Sequence, residues 1–199
     1  MLDLGCGPGH VARILAERGY AVTGVEQVKA AGFPERVRLV EADLDAGLPD
    51  LGGERFDVIL CADILEHLKR PEDLLGQLPG LLAPGGKLIA SLPNSGNLYF
   101  RLNILAGRFP RHEKGLFDRT HLHFYMWDGW VELLAECGFR IEEVVSSGIP
   151  VGLQFPGFAE AAWVRVCERL CYDSARVWKR LFAYQFIVTA RPKQGSSER

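Results

Sequence analysis

The segment Leu2–Gly9, Leu-Asp-Leu-Gly-Cys-Gly-Pro-Gly, constrains this chain more than any other. A short apolar run passes directly into three glycines, Gly5, Gly7 and Gly9, and then into an amphipathic stretch. Glycines permit a tight turn and let a ligand lie against the main chain. The start of the following helix offers unpaired N–H groups and a positive partial charge. Strand, glycine turn and helix in that order form the opening unit of an open α/β sheet, which binds its ligands at the C-terminal ends of its strands. A dinucleotide site spaces its glycines G-x-G-x-x-G so that a pyrophosphate can rest on the helix start. Here the third glycine comes one residue early and His10 takes the dinucleotide position. The spacing suits a ligand without a pyrophosphate and disfavours a nicotinamide oxidoreductase.

The remaining pattern alternates short apolar runs with helical periods, as parallel sheets flanked by helices do. Strands are expected at Met1–Leu4, Ala21–Val25, Val37–Glu41, Phe56–Cys61, Lys87–Leu92, Phe139–Val145 and Phe182–Ala190, the last reached by a tight reversal. Helices are expected at Gly9–Arg18, with Val11, Ile14 and Leu15 on its inner face, and from Pro71, with Leu74, Leu75 and Leu78 inside and a break at Pro79. Two more are expected at Trp127–Cys137 and Phe158–Lys179, the latter packing Trp163, Cys167, Leu170, Cys171 and Trp178. Pro84-Gly85-Gly86 reads as a turn and Pro93–Thr120 as a long irregular segment.

Length and composition narrow the class. A chain of 199 residues fits one α/β domain, expected over 1–192 with a disordered polar tail at 193–199. A net charge of −2 gives no footprint of a nucleic-acid binder. The cysteine count is odd, five, and none are spaced C-x-x-C, which argues against a disulfide framework or zinc ribbon. Cys167 and Cys171 share a helical face and read as small buried apolar residues. No apolar run approaches the ~20 residues of a membrane span. No signal peptide is visible, so stable membrane insertion is not expected and the cytoplasm is the default location. Nothing specifies an oligomer.

Three acids fall at the ends of consecutive strands. Asp3 lies just before the glycine loop, Glu26 just after the second strand and Asp43 just after the third. A carboxylate in the second place can accept both hydroxyls of a ribose. One in the third can accept the exocyclic amine of an adenine, with Leu44 flanking the ring. Asp3 can hold an ammonium group, hold a water, or orient the loop.

With these pieces in place, the chain resembles the class I S-adenosylmethionine-dependent methyltransferases, especially the subgroup similar to ubiquinone-biosynthesis O-methyltransferases. The resemblance rests on Leu2–Gly9, Glu26, Ala42–Leu44, Phe56–Leu68, Leu81–Asn94, Thr120–Tyr125 and Leu133–Phe139. It implies a Rossmann-like α/β fold: a seven-stranded, mostly parallel sheet with helices on both faces and an antiparallel last strand. It implies S-adenosylmethionine as cofactor and methyl transfer to a small-molecule acceptor, on oxygen. The alternative is a member that binds the cofactor and transfers nothing. The implied cofactor residues are Asp3, Gly5, Cys6, Gly7, Gly9, Glu26, Gln27, Asp43 and Leu44, with Ala62 and Asp63 beside the methionine part or the acceptor.

Transfer to oxygen needs the acceptor deprotonated, so a general base is sought among His67, His121 and His123. His121 and His123 share a face if their segment is extended. No carboxylate at metal-ligand spacing completes that pair, so no metal is expected. Residues 95–123 read as an insertion over the acceptor site. They hold Arg101, Arg108, Arg111, Lys114 and Arg119 against Glu113 and Asp118, interleaved with Phe100, Leu102, Ile104, Leu105, Phe109 and Phe117. A basic and apolar cover suits an acceptor that is anionic or lipid-like.

Overall fold

The computed structural model describes residues 1–154, 156–158 and 160–193. Seven strands among them form one sheet: β1 (Leu2–Leu4), β2 (Thr23–Glu26), β3 (Arg38–Glu41), β4 (Phe56–Ala62), β5 (Leu82–Pro93), β6 (Phe139–Ser147) and β7 (Gln185–Pro192). Their order is β3-β2-β1-β4-β5-β7-β6. β3, β2, β1, β4 and β5 pair in parallel, and β7 runs antiparallel to both β5 and β6. This is the expected sheet, with the single reversed strand slotted between β5 and β6. One face of its centre is a continuous apolar layer: Leu2, Leu4, Val25, Ile59, Cys61, Leu88, Ala90 and Leu92 are all buried, and the strand register turns them to the same side.

The helices are α1 (His10–Glu17), α2 (Pro71–Leu75), α3 (Leu78–Leu81), α4 (Leu98–Leu105), α5 (Trp127–Glu136), α6 (Val151–Gln154), α7 (Ala162–Val177) and α8 (Lys179–Phe182). None is long and apolar enough to cross a membrane. Helix α5 behaves as its periodicity predicts. Trp130, Leu133 and Leu134 are buried, and the Trp130 indole N–H donates to the Pro93 carbonyl at 2.8 Å, which ties α5 to the end of β5.

Other elements differ from the sequence reading for identifiable reasons. The helix starting at Pro71 stops at Leu75, ahead of the expected break, and Pro79 sits in the first turn of α3, where a missing N–H costs nothing. Pro84-Gly85-Gly86 is a bulge inside β5, because Phe56 pairs with Leu82 while Val58 pairs with Lys87. The stretch expected to be irregular contains α4, capped by Asn97. Its apolar residues are spread around the axis, so no stripe betrays it. Phe100 and Phe117 stack at 4.3 Å, and with Leu116, Phe124 and Tyr184 they give this segment a small core of its own.

Helix α7 starts after the expected Phe158 and ends at Val177; Trp178 leaves helical geometry, and Phe182 belongs to α8 instead of the last strand. Only Ala183 and Tyr184 separate α8 from β7. The stripe expected to pack, Trp163, Leu170 and Trp178, lies open to solvent, Cys167 and Cys171 are half-buried, and the contact is made by Val164 and Ala175. Helix α1 likewise turns Val11 and Ile14 outward and buries Ala12. A helical period marks an apolar face without saying how the helix will be rotated. Lys193, expected in a frayed tail, is held by its amide to the Gly138 carbonyl and its ammonium to the Ala135 carbonyl. The rest of that tail, 194–199, lies outside the described residues.

Candidate active site

The C-terminal ends of β3, β2, β1 and β4 lie side by side, which brings Asp43, Glu26, Asp3 and Asp63 to one edge of the sheet. The glycine loop is fastened across it. The Gly5 and Cys6 amides donate to the Val25 carbonyl at 2.9 and 3.1 Å, and the Gly7 amide donates to Glu26 Oε2 at 2.7 Å. Gly5, Gly7 and Gly9 all have positive φ. At Gly5 an added Cβ would strike the Ile64 side chain at 2.7 Å, so the turn after β4 presses directly on the loop. At Gly7 it would meet nothing within 4 Å, so this glycine borders open space.

Each acid has a distinct environment. Asp3 is buried, and its Oδ2 has no hydrogen-bond partner among the described residues. Burial, with the neighbouring charge of Glu26 adding to it, raises its carboxyl to about 7. Glu26 accepts from the Gln27 amide at 2.8 Å as well as from Gly7, so it braces the loop. Asp43 Oδ1 accepts from the Asp45 amide at 2.9 Å, forming the turn that presents it. Leu44 is buried in the main core and borders a cleft of about 410 Å³ with Lys69, Arg70 and Asp73. The Cys6 side chain turns away from the edge into a cluster with Ala12, Val22, Phe33 and Val37, leaving only its main chain in the loop. Burial first, then Asp3 and Glu26, push its thiol up to about 12.

Ala62 ends β4 and Asp63 follows with φ 54°, the one positive φ outside glycine among the described residues. Its Oδ1 accepts from Ser91 Oγ and from Gln185 Nε2, both at 2.7 Å, which offsets the strain and clasps the ends of β5 and β7 to β4.

The three histidines meet beside this turn. The Leu122 and His123 amides donate to the Glu66 carbonyl at 2.8 and 3.3 Å, which staples the segment after α4 onto the 3₁₀ turn Leu65–His67. His123 Nε2 lies 2.9 Å from the Leu68 carbonyl and its ring stacks on Tyr125. His121 is buried edge-on to His67, with Nε2 3.9 Å from Glu66 Oε1. Burial raises the Glu66 carboxyl to about 8, and burial followed by His67 lowers His121, so both are driven neutral and the contact is no ion pair. Glu66 Oε2 has no partner among the described residues. His67 is half-buried, with Nδ1 3.0 Å from Thr120 Oγ1.

A family model described as a methyltransferase domain matches residues 1–144. The chain belongs to the methyltransferase-domain family. Among curated relatives, it is 32% identical over 117 residues to a ubiquinone biosynthesis O-methyltransferase of Alkalilimnicola ehrlichii, a match covering 55% of this chain and 47% of that one. It is 31% identical over 132 residues to the protein of that name from Idiomarina loihiensis, covering 62% and 53%. The chain thus spans about half the length of the curated relatives it matches. Among solved structures, it superposes on a SAM-dependent methyltransferase from Archaeoglobus fulgidus with TM-score 0.63 at 21% identity, covering 96% of this chain and 85% of that one. It superposes on the 1,6-didemethyltoxoflavin-N1-methyltransferase of Burkholderia thailandensis, solved with 1,6-didemethyltoxoflavin and S-adenosylhomocysteine, with TM-score 0.59 at 20% identity, covering 97% and 70%.

Within this methyltransferase domain the sequence reading reaches Asp3, Gly5, Gly7, Gly9, Glu26, Asp43 and Asp63 at the sheet edge. Glu66, Ser91, Asp118, Thr120 and Gln185 receive no site role from sequence. Ser91 and Gln185 meet Asp63, and Thr120 meets His67, across long sequence separations, and Asp118 acts through Thr120 two residues on. Glu66 meets His121 together with His67 and not with His123: one donor atom from each of Glu66, His67 and His121 lies within 4.8 Å of the others.

Proposed function

We propose that this domain transfers a methyl group from S-adenosylmethionine to a small-molecule acceptor, at oxygen, with residues 95–123 of the 1–192 unit covering the acceptor side. The observation that carries the reading is Asp3: a buried carboxyl with a partnerless oxygen, beside a glycine loop whose central residue borders open space. An unsatisfied buried acceptor costs about 1–3 kcal/mol, so the site is built for a donor that arrives with the ligand. The α-ammonium of a methionine supplies one.

The remaining residues fit the same ligand. The main chain of Gly5–Gly9 would receive the methionine part, Glu26 with Gln27 the ribose hydroxyls, and Asp43 with Leu44 the adenine. Ala62 and Asp63 would stand next to the methyl group or the acceptor. Bound there, S-adenosylmethionine supplies an electrophilic methyl on a sulfonium. This chain's contribution is alignment and the removal of the acceptor's proton, for which His67, His121 and His123 are the available bases.

The names of the curated relatives favour oxygen as the acceptor atom. The cover favours an acceptor with both anionic and apolar parts. Arg101, Arg108, Arg111, Lys114 and Arg119 face only Glu113 and Asp118 in acid. Leu98, Tyr99, Leu102, Ile149, Leu170 and Phe182 line a groove of about 380 Å³ along α4.

The test is a thermal-shift titration with S-adenosylhomocysteine, with NAD as the control. At 100 times its Kd a ligand stabilises by roughly 2.7 kcal/mol. Each kcal/mol is worth roughly 2–4 °C for a chain of this size. A rise of several degrees with S-adenosylhomocysteine and none with NAD is expected; no rise with S-adenosylhomocysteine overturns the reading.

A further inference from the structure

The three histidines beside the turn after β4 are not equivalent, and hydrogen-bond chemistry distinguishes them. A carbonyl only accepts, so His123 Nε2, 2.9 Å from the Leu68 carbonyl, carries its proton and is committed to holding the chain. His121 is buried, with its Nε2 turned to Glu66 at 3.9 Å. His67 is half-buried, and its Nε2 has no hydrogen bond among the described residues. It follows Ile64, the side chain that presses on Gly5, by three residues in the turn after β4.

Its other nitrogen ends a chain of three groups. Thr120 Oγ1 lies 2.6 Å from Asp118 Oδ1 and 3.0 Å from His67 Nδ1. A hydroxyl has one proton to give, and an ionised carboxylate can only accept. Burial tends to raise the Asp118 carboxyl, but the Thr120 hydroxyl and amide, with His121 and His67 nearby, outweigh it and hold Asp118 below the ordinary range. Asp118 is therefore a carboxylate at neutral pH, and Thr120 spends its proton on it. The Thr120 amide donates to the same oxygen at 2.8 Å, which fixes the rotamer. The Thr120 oxygen then has only lone pairs for His67, so Nδ1 must carry the imidazole proton and Nε2 keeps its lone pair.

We propose that Asp118 and Thr120 are positioning residues that hold His67 as its Nδ1–H tautomer, leaving Nε2 free to take the proton of the methyl acceptor. This rests on the methyl-transfer reading above. In that step the proton leaves the acceptor hydroxyl for His67 Nε2, and His67 becomes an imidazolium whose Nδ1–H still points at Thr120. Without the Asp118–Thr120 chain, His67 would be free to take the other tautomer, in which Nε2 carries a proton and can accept none. The other groups near this ring are His121, Glu66 and Asp63, and none of them makes a hydrogen bond to Nδ1.

The test is the long-range imidazole ¹H–¹⁵N spectrum of the uniformly ¹⁵N-labelled full chain above the histidine titration range. Its signals include five histidines, and those of His67 are the ones lost in H67Q. The expected His67 pattern is that of Nδ1–H, converting to Nε2–H or to a mixture in Thr120→Val and restored in Thr120→Ser. A wild-type His67 in the Nε2–H form overturns the proposal, as does an unchanged pattern in a folded Thr120→Val protein. If Thr120→Val does not fold, the wild-type spectrum alone decides. The measurement needs neither cofactor nor acceptor, so its failure is separate from a failure to bind S-adenosylhomocysteine.

Discussion

The Gly7 amide and the Glu26 carboxylate are joined at 2.7 Å, so the residue assigned to the ribose also holds the shape of the loop that receives the methionine part. Hydrogen bonds to charged groups contribute about 1.5–3 kcal/mol. Glu26→Ala should therefore weaken S-adenosylhomocysteine binding by about 10–100-fold and lower the melting temperature of the unliganded protein as well. Glu26→Gln keeps one acceptor oxygen and should fall between. Titration calorimetry on the two variants measures the first effect, and an affinity equal to wild type in Glu26→Ala would remove Glu26 from the site.

Asp3 makes cofactor binding depend on pH. Its carboxyl is raised to about 7 in the unliganded protein, by burial and then by Glu26, and the ammonium of the ligand needs it ionised. Below pH 7 the group must lose a proton on binding, so affinity should fall by up to about tenfold for each further pH unit. Calorimetry at pH 6 in two buffers of different ionisation enthalpy should detect close to one proton released. Asp3→Asn should bind more weakly and release none.

Glu66 should make the unliganded protein less stable as pH rises. Its folded-state carboxyl, raised to about 8 chiefly by burial, binds a proton more tightly than the unfolded one at its ordinary 4.5. The folded state therefore holds more protons between those values, and stability falls through that window as pH increases. Each pKa unit corresponds to about 1.4 kcal/mol. The melting temperature of Glu66→Gln minus that of wild type should increase by several degrees from pH 5 to pH 8.5. A constant difference would mean that Glu66 ionises normally in the fold.

Asn94 and Asn97 form a second paired device, in which each buried amide donates from Nδ2 to the Ala183 carbonyl at 2.8 Å. Together they lock the α8–β7 connection onto the β5–α4 junction. Replacing either by Ala should cost about 1–3 kcal/mol in urea unfolding, because each side chain also accepts a main-chain amide, that of Gly96 or of Tyr99. The double variant should cost more than the two single losses combined, by roughly 0.5 kcal/mol or more, since each single variant leaves the Ala183 carbonyl one donor and only the double removes both. Strict additivity would show that the two act independently.

The sequence by itself determined the sheet and its ligand edge. Period-two and continuous apolar runs mark strands, and glycine loops mark turns, through interactions only a few residues long. That is why the seven strands, the loop at Gly5–Gly9 and the acids Asp3, Glu26 and Asp43 were legible. Tertiary structure alone decided how each amphipathic helix is rotated, so Trp163 and Leu170 face solvent where their stripe suggested a core. It also decided that Pro84–Gly86 bulges inside β5 instead of forming a turn ahead of it, since that depends on Phe56 across the ladder. Above all it set the roles of the histidines. Their spacing shows three equal bases, whereas the fold gives His123 to a carbonyl, His121 to a buried carboxyl, and His67 to Thr120 and Asp118, some fifty residues on. A hydrogen bond fixes which nitrogen holds a proton, and its partner arrives by folding rather than by sequence neighbourhood.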